Sequence, residues 1–218
     1  VGGVGGAVLD LDGVLADTEH LWEESWRACA GDRWDPAYTR AMQGMSAPEW
    51  AAYLASRIGR DGAAEDVRDR CVAYVVDAID AGRGPLLPGA RELVTALADR
   101  VPLGLASSAA RPVIDRILAD NGLSALFAAT VSSEEVPRGK PAPDVYAEAV
   151  RRVGFAGAGL AFEDSSNGIR AAAAAGLRVI AIPNRQYPPA ADALALAEHV
   201  AADHADARTH ALSLLERY

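Results

Sequence analysis

The sequence has 218 residues, half of them hydrophobic, with 30 acidic and 21 basic side chains, a net charge of −9 and a pI near 4.9. This composition supports a sizeable buried core and excludes a disordered chain, while the acidic balance argues against general affinity for nucleic acid or anionic lipid. All but one of the basic residues are arginines, which leaves Lys140 as the sole lysine.

No apolar run approaches the ~20 residues of a membrane span. The glycine-rich opening, Val1 to Gly6, lacks the basic and long apolar regions of a secretory signal, so a cytoplasmic protein is expected. That opening fits neither phosphate-binding glycine loop and is read as a loose terminus ahead of the first strand. Cys29 and Cys71 lie in alanine-rich stretches of helical pattern and are read as small buried thiols.

The first apolar burst, Ala7-Val8-Leu9, breaks into Asp10-Leu11-Asp12-Gly13, the pattern of a buried strand entering a polar turn. From Thr18 to Gly84 there are helical patterns near 19–30, 47–58 and 62–81 and no buried strand, so this interval reads as a helical insertion. Gly82-Arg83-Gly84-Pro85 is a flexible exit from it, and Leu86-Leu87-Pro88-Gly89 restarts the earlier pattern at a helix N-terminus. Apolar bursts at Val101 to Ala106, Ala128 to Val131, Leu160 to Phe162 and Val179 to Ile182 then alternate with helices near 89–100, 110–121, 142–154 and 166–176. Pro112, Pro141 and Ser165 or Ser166 suit helix starts; Gly122, Gly154 and Gly176 suit helix ends. His199, His204 and His210, in the remaining C-terminal segment, are read as surface residues.

Short strands alternating with helices predict an α/β fold with a Rossmann-like, doubly wound parallel sheet formed by residues 1–17 and 85–218 and interrupted by the helical segment 18–84. Right-handed crossovers put every strand C-terminus on one edge. Asp10-x-Asp12, Ser107, Lys140 and Glu163-Asp164 then become neighbours, a set suited to a metal ion and a phosphoryl group. Asp10 and Asp164 offer hard oxygens to Mg²⁺, and Lys140 with a Ser107 hydroxyl offers donors to phosphoryl oxygens.

Four segments, in order, resemble the motifs of the haloacid dehalogenase superfamily: Asp10-Leu-Asp-Gly-Val, Leu105-Ala-Ser-Ser, Lys140-Pro-Ala-Pro-Asp144 and Glu163-Asp-Ser-Ser-Asn-Gly168. The insertion resembles the helical cap of that family's first subclass, and the closest similarity is to the β-phosphoglucomutase-like and sugar-phosphate phosphatase members. The resemblance implies that Asp10 attacks phosphorus to form an aspartyl-phosphate and that Asp12 acts as general acid and base. It implies Mg²⁺ on Asp10, the Asp12 carbonyl and Asp164, with Glu163 ligating directly or supporting from outside, and phosphate contacts from Lys140 and from Ser107 or Ser108. It further implies a small phosphorylated metabolite as partner, without nucleic acid or membrane, for a monomer or weak homodimer.

Specificity is then expected in the cap, with hinges near Leu15 to Asp17 and Gly82 to Pro85. His20, Trp22, Gly44 and Ser46 are the substrate-side candidates there. Mutase relatives carry a histidine ten residues after the second aspartate, where this chain has Trp22, and a cap arginine after Gly-x-Ser, where it has Ala47. Both departures favour a phosphatase over a β-phosphoglucomutase-like mutase. Trp22, Trp26, Trp34 and Trp50 are expected mainly to build the cap's own core, and Arg27, Arg40, Arg57 and Arg83 remain unranked candidates for anion contact.

Overall fold

The computed structural model describes residues 3–155 and 158–216. Six strands form one parallel sheet: β1 (Val4–Leu9), β2 (Leu103–Ser107), β3 (Ala129–Ser132), β4 (Ala158–Glu163), β5 (Arg178–Ala181) and β6 (His199–Val200), in the order β3-β2-β1-β4-β5-β6. β1 is central, with winding to one side through β2 and β3 and to the other through β4 to β6. The crevice beyond its C-terminal end is therefore the topological switch point.

Alternation along the strands builds a core on each face. On one, Leu9, Leu105, Leu160 and Phe162 pack with α5 (Ala90–Ala98), α6 (Arg111–Asp120) and α10 (His204–Glu216). On the other, Val8, Ala106, Ala161 and Val179 pack with α7 (Asp144–Val153), α8 (Ser166–Ala174) and the short α9 (Ala191–Leu194). Leu9, Leu105 and Phe162 are fully buried, and truncating any one of them to alanine should cost about 2–5 kcal/mol.

β1 begins earlier than the sequence suggests. Residues 4–6 belong to the strand, while Val1 and Gly2 lie outside the described residues. Glycine is required there by packing: a Cβ on Gly6 would meet the Phe155 ring at 2.2 Å, and one on Gly159 of the adjacent strand would meet the same ring at 2.5 Å.

The interval between β1 and α5 holds no strand among the described residues. Its helices are α1 (Glu19–Ala30), α2 (Ala37–Met42), α3 (Ala47–Arg57) and α4 (Ala64–Asp80). Periodicity missed α2, a six-residue helix whose buried residue is Met42. The indoles of Trp22, Trp26 and Trp50 meet at centroid separations of 5.8 and 5.9 Å and join this segment's core, with Cys71 fully buried beneath. Two crossings tie it to the sheet side by side: Asp17 N–H donates to Pro85 carbonyl and Leu87 N–H to Leu15 carbonyl, both at 2.9 Å.

His204 is not a surface residue. It is 7% exposed, its Nε2 lies 2.6 Å from the Val14 carbonyl, and its Cβ closes against Gly89 at the start of α5. The rings of His199, on β6, and His210, on α10, stack with centroids 4.1 Å apart. No helix among the described residues is long and apolar enough to cross a membrane.

Candidate active site

β1 delivers Asp10 to the crevice. The turn after it folds back as the amides of Val14, Leu15 and Ala16 converge on the Leu11 carbonyl. Gly13, at φ 75°, is the residue that lets this turn touch the end of β4, because a Cβ there would lie 2.0 Å from Asp164 Oδ2. The first and fourth motifs are thereby brought into contact.

Lys140 lies between two carboxylates, with Nζ 3.0 Å from Asp10 Oδ1 and 2.6 Å from Glu163 Oε1, and is 4% exposed. Burial alone would push its ammonium down, but Asp10 and Glu163 hold it above the ordinary lysine range. Tyr146, in the first turn of α7, completes the arrangement: its hydroxyl donates to Glu163 Oε1 at 2.7 Å, and its ring faces Lys140. Glu163 Oε2 accepts from the Asp164 amide at 3.1 Å and the Ser165 hydroxyl at 3.2 Å. Both Glu163 oxygens are thus engaged, and the side chain fixes Lys140. The start of α8 closes on it through Gly168, where a Cβ would lie 1.9 Å from the carboxylate carbon.

One ammonium does not balance the acids gathered here. Oxygens of Asp10, Glu163 and Asp164 lie within 4.8 Å of one another. Burial, followed by the charge of Glu163, raises the Asp10 carboxyl well above the usual range; burial, followed by Glu19 and Glu163, does the same to Asp164. Glu19, the first residue of α1, is pushed up to about 8 by burial and by Asp12 and Asp10. Asn184, beyond β5, donates to both Glu19 and Asp164 and links the helical segment to this cluster. Asp164 Oδ1 is buried without a partner. An orphaned carboxylate oxygen in a cluster of surplus negative charge is the environment a hard divalent cation satisfies.

Asp12 has different surroundings. Its Oδ1 accepts from the Thr18 hydroxyl at 2.5 Å and from the Trp22 indole at 3.0 Å, and its Oδ2 lies 3.4 Å from the Ser107 hydroxyl. The helical insertion therefore aims the second aspartate. Replacing Trp22 by phenylalanine removes one of two donors to Oδ1 while keeping an aromatic ring, and should lower kcat by about tenfold with a smaller change in KM. An unchanged kcat would dissociate the indole from Asp12.

The two serines divide their tasks. Ser107 is fully buried, and its Oγ accepts from the Ala109 amide at 3.0 Å, beside Asp12. Ser108 donates to the Gly44 carbonyl of the insertion at 3.1 Å, and Asn167 of α8 donates to the neighbouring Gln43 carbonyl at 3.1 Å. Gly44, at φ 78°, permits that approach, since a Cβ would lie 2.9 Å from Asn167 Cβ. These contacts enclose a cavity of about 530 Å³ that reaches from Asp10, Asp12, Lys140 and Asp164 to Trp22, Gly44 and Ser108.

Ser46 and His20 are not brought to that cavity. Ser46 is buried and donates through both amide and hydroxyl to Glu49, whose other oxygen reaches the Gly139 amide beside Lys140. His20 lies 3.5 Å from Asp17 and lines a separate cleft of about 180 Å³ with Glu23 and Glu24. Sequence reasoning singled out neither Glu19, Asn184 nor Tyr146. Asn184 did carry a signal, as a polar residue just past an apolar burst on the productive sheet edge.

A doubly wound sheet with an aspartate pair, a buried lysine and an acidic cluster at its switch point defines a hydrolase of one superfamily. Residues 4–176 match the family model of the haloacid dehalogenase-like hydrolases, and the chain belongs to that family. Protein CbbY of Rhodobacter capsulatus is 31% identical over 191 residues, covering 81% of this chain and 84% of that protein. Hexitol phosphatase B of Escherichia coli K12 is 30% identical over 187 residues, covering 81% and 82%. The crystal structure of CbbY from Rhodobacter sphaeroides in complex with phosphate shares the fold with a TM-score of 0.76 at 24% identity, covering 93% of this chain and 96% of that one.

Proposed function

We propose that this hydrolase is a Mg²⁺-dependent phosphatase that cleaves a small phosphoric monoester, a sugar phosphate, through an aspartyl-phosphate on Asp10. The observation that carries the reading is the contrast between two aspartates on one turn: Asp10 faces Lys140 and the acidic cluster, whereas Asp12 faces hydrogen-bond donors. Residues 18–84 serve as the cap over a core of residues 1–17 and 85–218. A phosphorylated metabolite as substrate fits an enzyme of the cytoplasm.

In the first step an Asp10 oxygen bonds to phosphorus as the bond to the leaving alkoxide breaks, and Asp12 gives its proton to that alkoxide. With Oδ1 held by Thr18 and Trp22, Oδ2 is the oxygen left to carry the proton. In the second step Asp12 takes a proton from water as the water oxygen attacks phosphorus, which frees Asp10 and inorganic phosphate. Lys140 and the Ser107 hydroxyl steady the phosphoryl oxygens. Asp10, Asp164 and the Asp12 carbonyl would hold Mg²⁺, which when bound offsets the repulsion between carboxylate and phosphate.

Metal binding is measurable without turnover. At a hundredfold excess over its Kd, Mg²⁺ should stabilise the protein by about 2.7 kcal/mol, raising Tm by roughly 5–10 °C for a chain of this size. Asp164→Asn should remove most of that shift, and a variant with an undiminished Mg²⁺ response would place the ion elsewhere. The function itself is tested by screening phosphorylated metabolites with and without Mg²⁺: phosphate release should require the metal. The same aspartyl-phosphate would serve a phosphosugar mutase, but Ala47 is fully buried and carries no cation, and Trp22 occupies the Asp12 contact. Isomerisation of β-glucose 1-phosphate, primed by a bisphosphate and in excess over hydrolysis, would decide for the mutase.

A further inference from the structure

Asn184 follows β5 on the productive sheet edge, outside the four motifs. Its side chain has a fixed orientation. The carbonyl end, Oδ1, accepts from the Gln186 amide at 2.8 Å and the Tyr187 amide at 3.1 Å, closing a turn on its own backbone. A carboxamide has one accepting end and one donating end, so the NH₂ group points the other way, into the acidic cluster. There it donates to Asp164 Oδ2 at 3.4 Å and to Glu19.

The two acceptors belong to different parts of the molecule. Asp164 follows β4 in the core and keeps an unpartnered oxygen, Oδ1, whereas Glu19 opens α1 of the cap. The same turn reaches α1 again one helical turn on, where the Tyr187 hydroxyl donates to Glu23 at 2.7 Å. Trp22, which donates to Asp12, stands between these two anchor points. Charge opposes the seating of α1: Glu19 meets the like charges of Asp12 and Asp10, and its own charge bears on Asp164. The surplus that resists docking is the surplus a cation at Asp164 would offset, and Asn184 supplies donors to both sides. Its hold on Oδ2 leaves Oδ1 to the ion, the part that supporting residues play around metal-binding carboxylates.

We propose that Asn184 is a positioning residue that couples the metal site to the cap: it orients Asp164 for Mg²⁺ and seats the start of α1, so that metal binding and docking of α1 favour each other. This rests on Asp164 as a Mg²⁺ ligand, within the phosphatase reading, and adds a residue and a linkage to it. An ion that steadies α1 is, by reciprocity, bound more tightly when α1 is seated.

The test compares the wild type with Asn184→Ser, whose hydroxyl keeps an acceptor for the turn but is too short to carry donors to both Asp164 and Glu19. Neither measurement needs turnover. Mg²⁺ affinity, measured by calorimetry, should fall about ten- to a hundredfold in the variant. Hydrogen exchange, followed by mass spectrometry on the peptide that carries Glu19 and Glu23, should slow in the wild type by about fivefold or more when Mg²⁺ saturates. In the variant, at its own saturating concentration, the slowing should be several times smaller. A variant that binds Mg²⁺ as tightly as the wild type overturns the proposal even if its Tm is lower, since a merely structural residue would lower Tm alone. Exchange in α1 that ignores Mg²⁺ in the wild type, or slows equally in both proteins, overturns it too. A wild type that binds no Mg²⁺ overturns the metal reading instead. Exchange in the metal-free proteins then judges the tether alone: faster exchange of α1 in Asn184→Ser supports it, and equal rates reject it.

Discussion

Asp10→Asn should abolish phosphate release, with kcat falling on the order of 10⁴-fold or more while the fold is retained. The amide has the shape of the carboxylate but does not attack phosphorus. The substitution also removes a buried charge whose proton affinity is raised by burial and by Glu163, so thermal stability in the absence of metal should equal or exceed that of the wild type. Loss of activity with an undiminished Tm separates a chemical role from a structural one. Wild-type enzyme quenched in acid during turnover should carry a phosphoryl group on the peptide that contains Asp10, and the variant should not. Turnover within tenfold of the wild type would remove Asp10 from the nucleophile's role.

Lys140→Met should have the largest effect on stability. The side chain is 2% exposed and holds two carboxylates at 3.0 and 2.6 Å, so its loss leaves buried charge without a counterion, at a cost of about 3–5 kcal/mol. For a chain of this size that lowers Tm by roughly 6–20 °C. The pH dependence has a definite sign. Lys140 lowers the proton affinity of Asp10 and of Asp164, so removing it raises further two carboxyls already above their unfolded values. The folded variant then binds more protons than the unfolded chain, and its stability falls as pH rises. In metal-free buffer the deficit against the wild type should be smallest near the ordinary carboxylate range and should widen toward neutral pH. A constant deficit from pH 4 to pH 8 would mean that packing, and not charge, is what the lysine contributes.

The sheet was legible because each buried strand is an apolar burst that stops at polar residues, as Leu9 does at Asp10 and Phe162 at Glu163. Topology then brings those stops together without further information. The site residues that escaped reading are those whose part depends on packing between distant elements. Tyr146 looks like any aromatic on the apolar face of α7, and only the crossing of α7 over β4 turns its hydroxyl toward Glu163. Glu19 looks like an acid suited to a helix N-terminus, and its place over Asp164 depends on how α1 docks. Ser46 erred the other way: next to Gly44 in sequence, it is drawn from the cavity by Glu49, three residues on, in a local cap. Short elements were lost for a plainer reason, since the six residues of α2 and the two of β6 are too few to display a period.

The burial of Lys140 reaches beyond catalysis. As the only lysine in the sequence, enclosed under the helical segment, it leaves the exterior of the described fold without a lysine ε-amine. Reagents and modifying enzymes that act on lysine find no ε-amine to react with until the molecule opens. Covalent labelling at this one residue therefore records opening of the active site, free of background from other lysines.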